Sequence, residues 1–295
     1  MSILIGTEKT LFVLGSDAAL LEDPNALGRD ANGWWAVTES HKVWSSPEGR
    51  HWKEVVSLRG LRANCVVPYD GGALVGTSEG HLVRVAGGRS ERVRSFDQIA
   101  TRDDWYTPWG GPADVRSLSA RPDGVVYANV HVGGIARSGD GSKWEATPLD
   151  IDSDVHQVLA HPSRKGTAYA ATAIGLATTT DGGATWDFDQ EGLHAAYCRA
   201  VAIAGDTLLL SASTSHTGRK AAVYRRPLRG GTFERCTEGL PEWFADNVDT
   251  FCLDAIGDDA AIGATDGRVF VSDDAGRSWS EAASGLPSVR FVAFV

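Results

Sequence analysis

The stretch Thr179-Thr-Asp-Gly-Gly-Ala-Thr-Trp186 decides how this chain is read. An Asp followed by Gly marks a tight turn, because the Asp side chain can accept bonds from the backbone just ahead of it and Gly supplies positive φ. A Trp placed directly after the turn is a large apolar plug for a neighbouring layer. The pattern returns as Ser272-Asp-Asp-Ala-Gly-Arg-Ser-Trp279 and, with Pro47 in place of Asp, as Ser45-Ser-Pro-Glu-Gly-Arg-His-Trp52. A copy one residue shorter is Ser138-Gly-Asp-Gly-Ser-Lys-Trp144. The four Trp stand 92, 42 and 93 residues apart, so each long gap should hide a worn copy. A second marker, Gly-Leu, begins six residues after Trp186 and Trp279, at Gly192 and Gly285, and also six after Phe233, at Gly239. Phe233 is therefore one worn copy, and Phe96 in Ser90-Glu-Arg-Val-Arg-Ser-Phe96 is taken as the other.

Each unit reads as four short alternating strands. The sixth gives Arg199-Ala-Val-Ala-Ile, Thr207-Leu-Leu-Leu-Ser-Ala, Ala222-Val-Tyr-Arg-Arg and Phe233-Glu-Arg-Cys. Four strands at this period are the mark of a propeller blade, and no helical periodicity competes. The expected fold is all-β, a single domain over 1–295: a seven-bladed β-propeller of four-stranded antiparallel blades. The blades are placed at 288–295 plus 1–22, 23–58, 60–96, 112–148, 152–190, 194–237 and 246–284. The C-terminal strand Ser288-Val-Arg-Phe-Val-Ala-Phe-Val295 should join the N-terminal hairpin and close the fold, which removes two exposed edges.

These turns resemble the Asp-boxes, or bacterial neuraminidase repeats, of sialidases, sortilin-type receptors and the propellers of photosystem assembly factors. The resemblance implies a scaffold in which the Asp clasps its own turn and the Trp packs between strands. It does not extend to a sialidase active site. That family carries a Phe/Tyr-Arg-Ile-Pro sequence near its N-terminus, with an arginine triad and a Tyr/Glu pair. The one similar string here, Tyr224-Arg-Arg-Pro227, comes late and has Arg226 where the family has Ile. Asp181 and Asp274 are accordingly read as structural.

Composition narrows the partners. With 28 basic against 38 acidic residues the formal charge is −10, which argues against nucleic acid and anionic membrane. No apolar run reaches the length of a spanning helix, and the first residues lack the pattern of a secretory signal, so a cytoplasmic location is expected. Cys65, Cys198, Cys236 and Cys252 are widely spaced and read as reduced thiols. Cys198 is expected to be buried and inert.

Candidate site residues come from geometry. Aligning the innermost strands places Asn25, Asn64, Arg116, His156, Arg199, Asp249 and Arg290 at one position near the channel mouth. Three guanidiniums crowded there without counter-charges would favour an anion. The same face carries the long loop 97–114 with Trp105, Tyr106 and Trp109, the hairpin 211–220 with His216, and the hairpin 129–134 with His131. His131, His156, His194 and His216 thus fall on one face; their spacing forms no linear metal motif, so neither metal nor other cofactor is expected. His156 and His131 are the candidates for acid–base catalysis, and Arg116, Arg199, Arg290, Asp249, Trp105, Tyr106, Trp109 and His216 for ligand binding.

Two functional classes remain. In the first, the protein binds a small anionic molecule, a carboxylate or acidic sugar, with hydrolase or lyase chemistry at a histidine. In the second, it is a non-catalytic scaffold whose loop 97–114 holds a protein or peptide partner.

Overall fold

The Asp turns close as the sequence requires. Asp274 Oδ1 accepts the backbone N–H groups of Arg277 and Ser278, both at 2.9 Å, while the Ser278 hydroxyl donates to Oδ2 at 2.6 Å. Asp181 takes the Thr185 N–H at 3.0 Å, and Asp140 takes those of Ser142 and Lys143. Each clasp reverses the chain between the third and fourth strands of a sheet, and the Trp then starts or just precedes the outer strand.

The computed structural model describes residues 2–295 and has the fold class read from the repeats, a seven-bladed β-propeller. The first sheet is Val289–Phe294, Ile3–Thr7, Thr10–Val13 and Ala19–Glu22; the second is Pro24–Asp30, Gly33–Thr38, Lys42–Ser46 and Lys53–Ser57. The third is Ala63–Tyr69, Gly72–Thr77, Leu82–Ala86 and Arg89–Arg92; the fourth is Val115–Ala120, Val126–Val130, Gly134–Ser138 and Trp144–Ala146. The fifth is Val155–Ala160, Ala168–Thr172, Gly175–Thr179 and Asp187–Asp189. Tyr197–Ala204, Thr207–Ser213, Ala222–Pro227 and Glu234–Arg235 make the sixth, and Leu253–Ile256, Asp259–Gly263, Val269–Ser272 and Ser280–Ala283 the seventh. By contacts the chain divides into two units, Pro24–Ala170 with Thr178–Asp187, and Met1–Asp23 with Ala171–Ala177 and Phe188–Val295.

Within the second of these units the chain ends meet. Val289–Phe294 pairs antiparallel with Ile3–Thr7 in the register Ile3↔Phe294, Leu4↔Ala293, Ile5↔Val292 and Gly6↔Phe291. Ile3, Ile5, Val289, Val292 and Phe294 then bury against Ala261 and Val269 of the seventh sheet. The Gly-Leu marker also acquires a physical reason. Residues ahead of it accept bonds from the next clasp: the Phe233 N–H donates to the Glu191 carbonyl at 2.8 Å and the Trp279 N–H to the Glu238 carbonyl at 3.0 Å. Gly192 and Gly239 follow at φ +89° and +77°, and a Cβ on Gly239 would sit on the Trp279 carbonyl. Only glycine meets both the left-handed backbone and that approach.

One repeat reading fails. Phe233 is buried and precedes its outer strand as the Trp residues do, but Phe96 does not sit in a clasp. The third sheet turns at Gly87 and Gly88, and Phe96 comes after the outer strand, in the one-turn helix Arg94–Asp97. It is fully buried and packs edge-on to Trp144 at 5.3 Å, so its aromaticity serves the neighbouring clasp rather than its own.

Candidate functional site

Five of the seven aligned polar positions share a backbone cause. In the first four and the sixth sheets the pairing of the innermost strand skips a residue near its start. Those skips fall at Arg290, Asn25, Asn64, Arg116 and Arg199 with Ala200. A bulge releases one residue from the ladder and re-aims its side chain, which is why polar residues recur there. The arginines, however, are not left without counter-charges as the sequence reading assumed. Arg199 Nη1 donates to both Asp249 oxygens at 3.1 and 3.0 Å, and its Nη2 donates to the Tyr197 hydroxyl at 3.1 Å. Burial works against the Arg199 charge, but Asp249 and Tyr197 outweigh it and hold the guanidinium pKa above its ordinary value. Arg290 lies 3.7 Å from Asp23. Arg116 is half-buried on Val115–Ala120. The argument from uncompensated crowding therefore falls for Arg199 and Arg290.

The histidines divide in the same way. His194 Nδ1 is 2.6 Å from the Tyr224 hydroxyl, with its ring stacked on Tyr224 and tilted against Trp243. Burial depresses its pKa. His216 is exposed on its hairpin, where its carbonyl accepts from Asn247 Nδ2 at 3.2 Å.

His131 and His156 are brought together. His131 opens the turn between Val126–Val130 and Gly134–Ser138, the end of that hairpin opposite the Asp140 clasp. Two backbone bonds lay the long loop over this turn: the His131 N–H donates to the Asp114 carbonyl at 2.8 Å, and the Tyr106 N–H to the Val132 carbonyl at 3.1 Å. Val132 holds φ +47°, a costly conformation for a β-branched residue. His156 lies one residue into Val155–Ala160. That strand is pinned by Asn129 Nδ2 donating to the Val155 carbonyl at 2.7 Å and by the Val158 N–H donating to the Ser117 hydroxyl at 2.9 Å. Between the two rings stands Asp154, at φ +49° where the 3₁₀ turn Ile151–Ser153 ends.

Asp154 Oδ1 is 2.9 Å from His131 Nε2, and Oδ2 is 3.4 Å from His156 Nε2. The side chains of His131 and His156 are 4% and 0% exposed, that of Asp154 19%. Burial alone would raise the Asp154 pKa, but the hydrogen bonds and charge of His131 and His156 win and hold it well below the carboxylate range. Asp114, by contrast, is raised by burial, although Asn64 and the His131 ring oppose the shift. Sequence reading missed Asp154. The signal present was the run Asp150-Ile-Asp-Ser-Asp154 just ahead of a strand.

The loop aromatics take different roles. Trp105 is half-buried, 5.7 Å from Phe96, with Arg102 over its ring and its Nε1 donating to the Thr101 hydroxyl, contacts that fix the loop. Trp109 is 68% exposed with its ring 4.9 Å from that of His131. Tyr106 is 45% exposed, its hydroxyl donating to Asp152 Oδ1 at 3.3 Å. Asp103, Asp104, Asp150 and Asp152 are exposed on these two loops. A cleft of about 650 Å³ lies between Glu39–His41 and Ser57–Arg62, and none of the candidate residues lines it. The four cysteines are free, as expected, and all are buried, which for Cys198 alone was expected; burial pushes the Cys65 thiol up to about 12. No helix among the described residues is long and apolar enough to cross a membrane.

No protein-family model and no curated protein matches the chain. Solved structures do resemble it. YCF48 bound to D1 peptide superposes with a TM-score of 0.60 at 15% identity, over 95% of this chain and 84% of that one. A streptogramin B lyase gives 0.65 at 10% identity, over 95% and 87%. An ancestral GH74 enzyme gives 0.65 at 15% identity, with 95% of this chain matching 40% of that one. At such identities the likeness shows the propeller fold, which hosts enzymes and peptide-binding scaffolds alike.

Proposed function

We propose that this protein is a binding scaffold whose loop 97–114 receives a peptide segment of a partner. The observation that carries the reading is the exposure of Tyr106 and Trp109 on a loop held by backbone bonds to the His131 turn. Pre-organised aromatics lose little conformational entropy on binding and anchor most interface energy. Exposed carboxylates on the same loops, in a chain of net charge −10, suit a basic segment bearing an apolar anchor. YCF48 bound to D1 peptide, a propeller of similar fold with a peptide partner, supports the reading. The clasp turns, whose Asp residues accept backbone N–H groups, support reading the scaffold as an Asp-box propeller.

The test is a peptide array of Lys/Arg-rich segments carrying one Leu, Phe or Pro, set beside acidic and neutral counterparts. Basic peptides should bind, and Trp109→Ala should weaken them by about 2 kcal/mol, the range of an interface anchor. Affinity should fall with salt. Absence of binding, or binding indifferent to Trp109→Ala, would overturn the reading. A second reading, a small anion with hydrolase or lyase chemistry, draws on the His131–Asp154 pair, in which a carboxylate orients an imidazole as in acid–base sites. Its mark would be stabilisation of the wild type by carboxylates, phosphates or acidic sugars in a thermal-shift screen, lost in Arg116→Ala and in His131→Ala.

A further inference from the structure

We propose that His131, Asp154 and His156 form a divalent-metal site of the zinc class, with three protein donors and one position left for water or an incoming ligand. Their donor atoms all lie within 4.8 Å of one another. Two imidazoles and a carboxylate form a donor set of intermediate softness, and three such ligands with an open fourth position is the pattern of a reactive zinc site. An ion about 2.0–2.2 Å from each donor sets neighbouring donors about 3.4 Å apart. His156 Nε2 stands 3.4 Å from Asp154 Oδ2 and His131 Nε2 2.9 Å from Oδ1, so an ion between the rings needs the carboxylate to bind through both oxygens or to turn one of them toward it.

The plain alternative is that Asp154 accepts hydrogen bonds from two neutral histidines and no ion is involved. That arrangement puts a proton on His131 Nε2 and leaves Nδ1 as an acceptor. Yet His131 Nδ1 is buried with no hydrogen-bond partner, an arrangement that costs free energy. A metal on Nε2 reverses the roles. The single ring proton then sits on Nδ1 instead of Nε2, and the bound imidazole stays neutral. The ion's charge on that ring is opposed by Asp114, whose carboxyl interacts electrostatically with His131. The donors are also held in advance: Asn129 and Ser117 fix the strand bearing His156, and strained backbone at Val132 and Asp154 holds the other two. This inference does not depend on the peptide face. It places an ion beneath Trp109, whose ring rests against His131.

The experiment is titration of chelator-treated full-length protein with Co²⁺ and Zn²⁺. One equivalent of Co²⁺ should bring up the visible bands of a low-coordinate site, and one equivalent of Zn²⁺ should displace it and raise Tm. Trp emission should change on binding in the wild type and not in Trp109→Phe. His131→Asn and Asp154→Asn should weaken binding by about a hundredfold or more, beyond the tenfold to hundredfold lost when a group that only orients a ligand is changed. His216→Ala, on an exposed hairpin, should leave it unchanged and controls for surface binding. No stoichiometric binding by the wild type overturns the inference, with no variant needed. So does a folded His131→Asn that binds as the wild type does. Metal binding without peptide binding overturns the scaffold reading alone, and the reverse overturns this inference alone.

Discussion

Asp274 and Asp181 occupy equivalent positions in matching turns, and both carboxyls are held at about 2. For Asp181 the leading cause is the Thr185 hydroxyl; for Asp274 burial opposes ionisation and the Ser278 hydroxyl and N–H overcome it. A depressed folded pKa stabilises the fold above the unfolded value of about 3.9, and that contribution disappears as pH falls towards 2. Asp274→Asn keeps an acceptor but loses the charge. It should cost about 1 kcal/mol at neutral pH in urea unfolding, as loss of a charged turn acceptor does. The gap to wild type should close between about pH 4 and pH 2, and a gap independent of pH would contradict the clasp energetics. The paired Trp residues are less alike. Trp279 is buried with its Nε1 donating to the Gly276 carbonyl at 3.1 Å, whereas Trp186 is half-buried and its Nε1 finds no partner. The motif announces both with the same letters, and only packing tells them apart.

At the scale of elements, the loop 97–114 combines a fixed half with a presented half. Trp105 and Arg102 pack inward, and Tyr106 and Trp109 face solvent, although all share one aromatic-rich stretch. Trp105→Ala should therefore cost about 3–5 kcal/mol in stability, as truncating a packed Trp does, and Trp109→Ala close to none. Thermal unfolding of the two variants checks this; equal losses would mean Trp109 is structural too. The hairpins and their order were legible in the sequence because strand alternation and Asp–Gly turns are local signals. His131 and His156 were legible as one face for the same reason. Asp154 was not, since its value comes from a left-handed residue that aims a carboxylate between two strands, which no motif records. Asp23 was likewise invisible as a counter-charge. Asp249 was aligned as a channel position, and nothing local pairs it with Arg199.

For the whole molecule, the decisive feature is that the first sheet is assembled from both chain ends. Val289–Phe294 supplies one edge of Ile3–Thr7, and Gly6 is small because the Phe291 ring occupies the space a Cβ would need. Removing residues 288–295 strips that edge of its backbone partners and exposes Ile3 and Ile5, which are otherwise buried. It also uncovers Ala261 and Val269 in the seventh sheet. Bare strand edges with apolar faces invite association between chains. The truncated chain should thus lose its single cooperative unfolding transition and aggregate. The milder Phe291→Ala should keep the transition and lose about 3–5 kcal/mol, the cost of deleting a buried ring. Supplying 288–295 as a separate peptide should restore part of the transition, because the register at Ile3, Leu4, Ile5 and Gly6 is specified by side chains rather than by a connecting turn. A truncated protein that melts as sharply as the full chain would show that the sheet stands without its C-terminal strand.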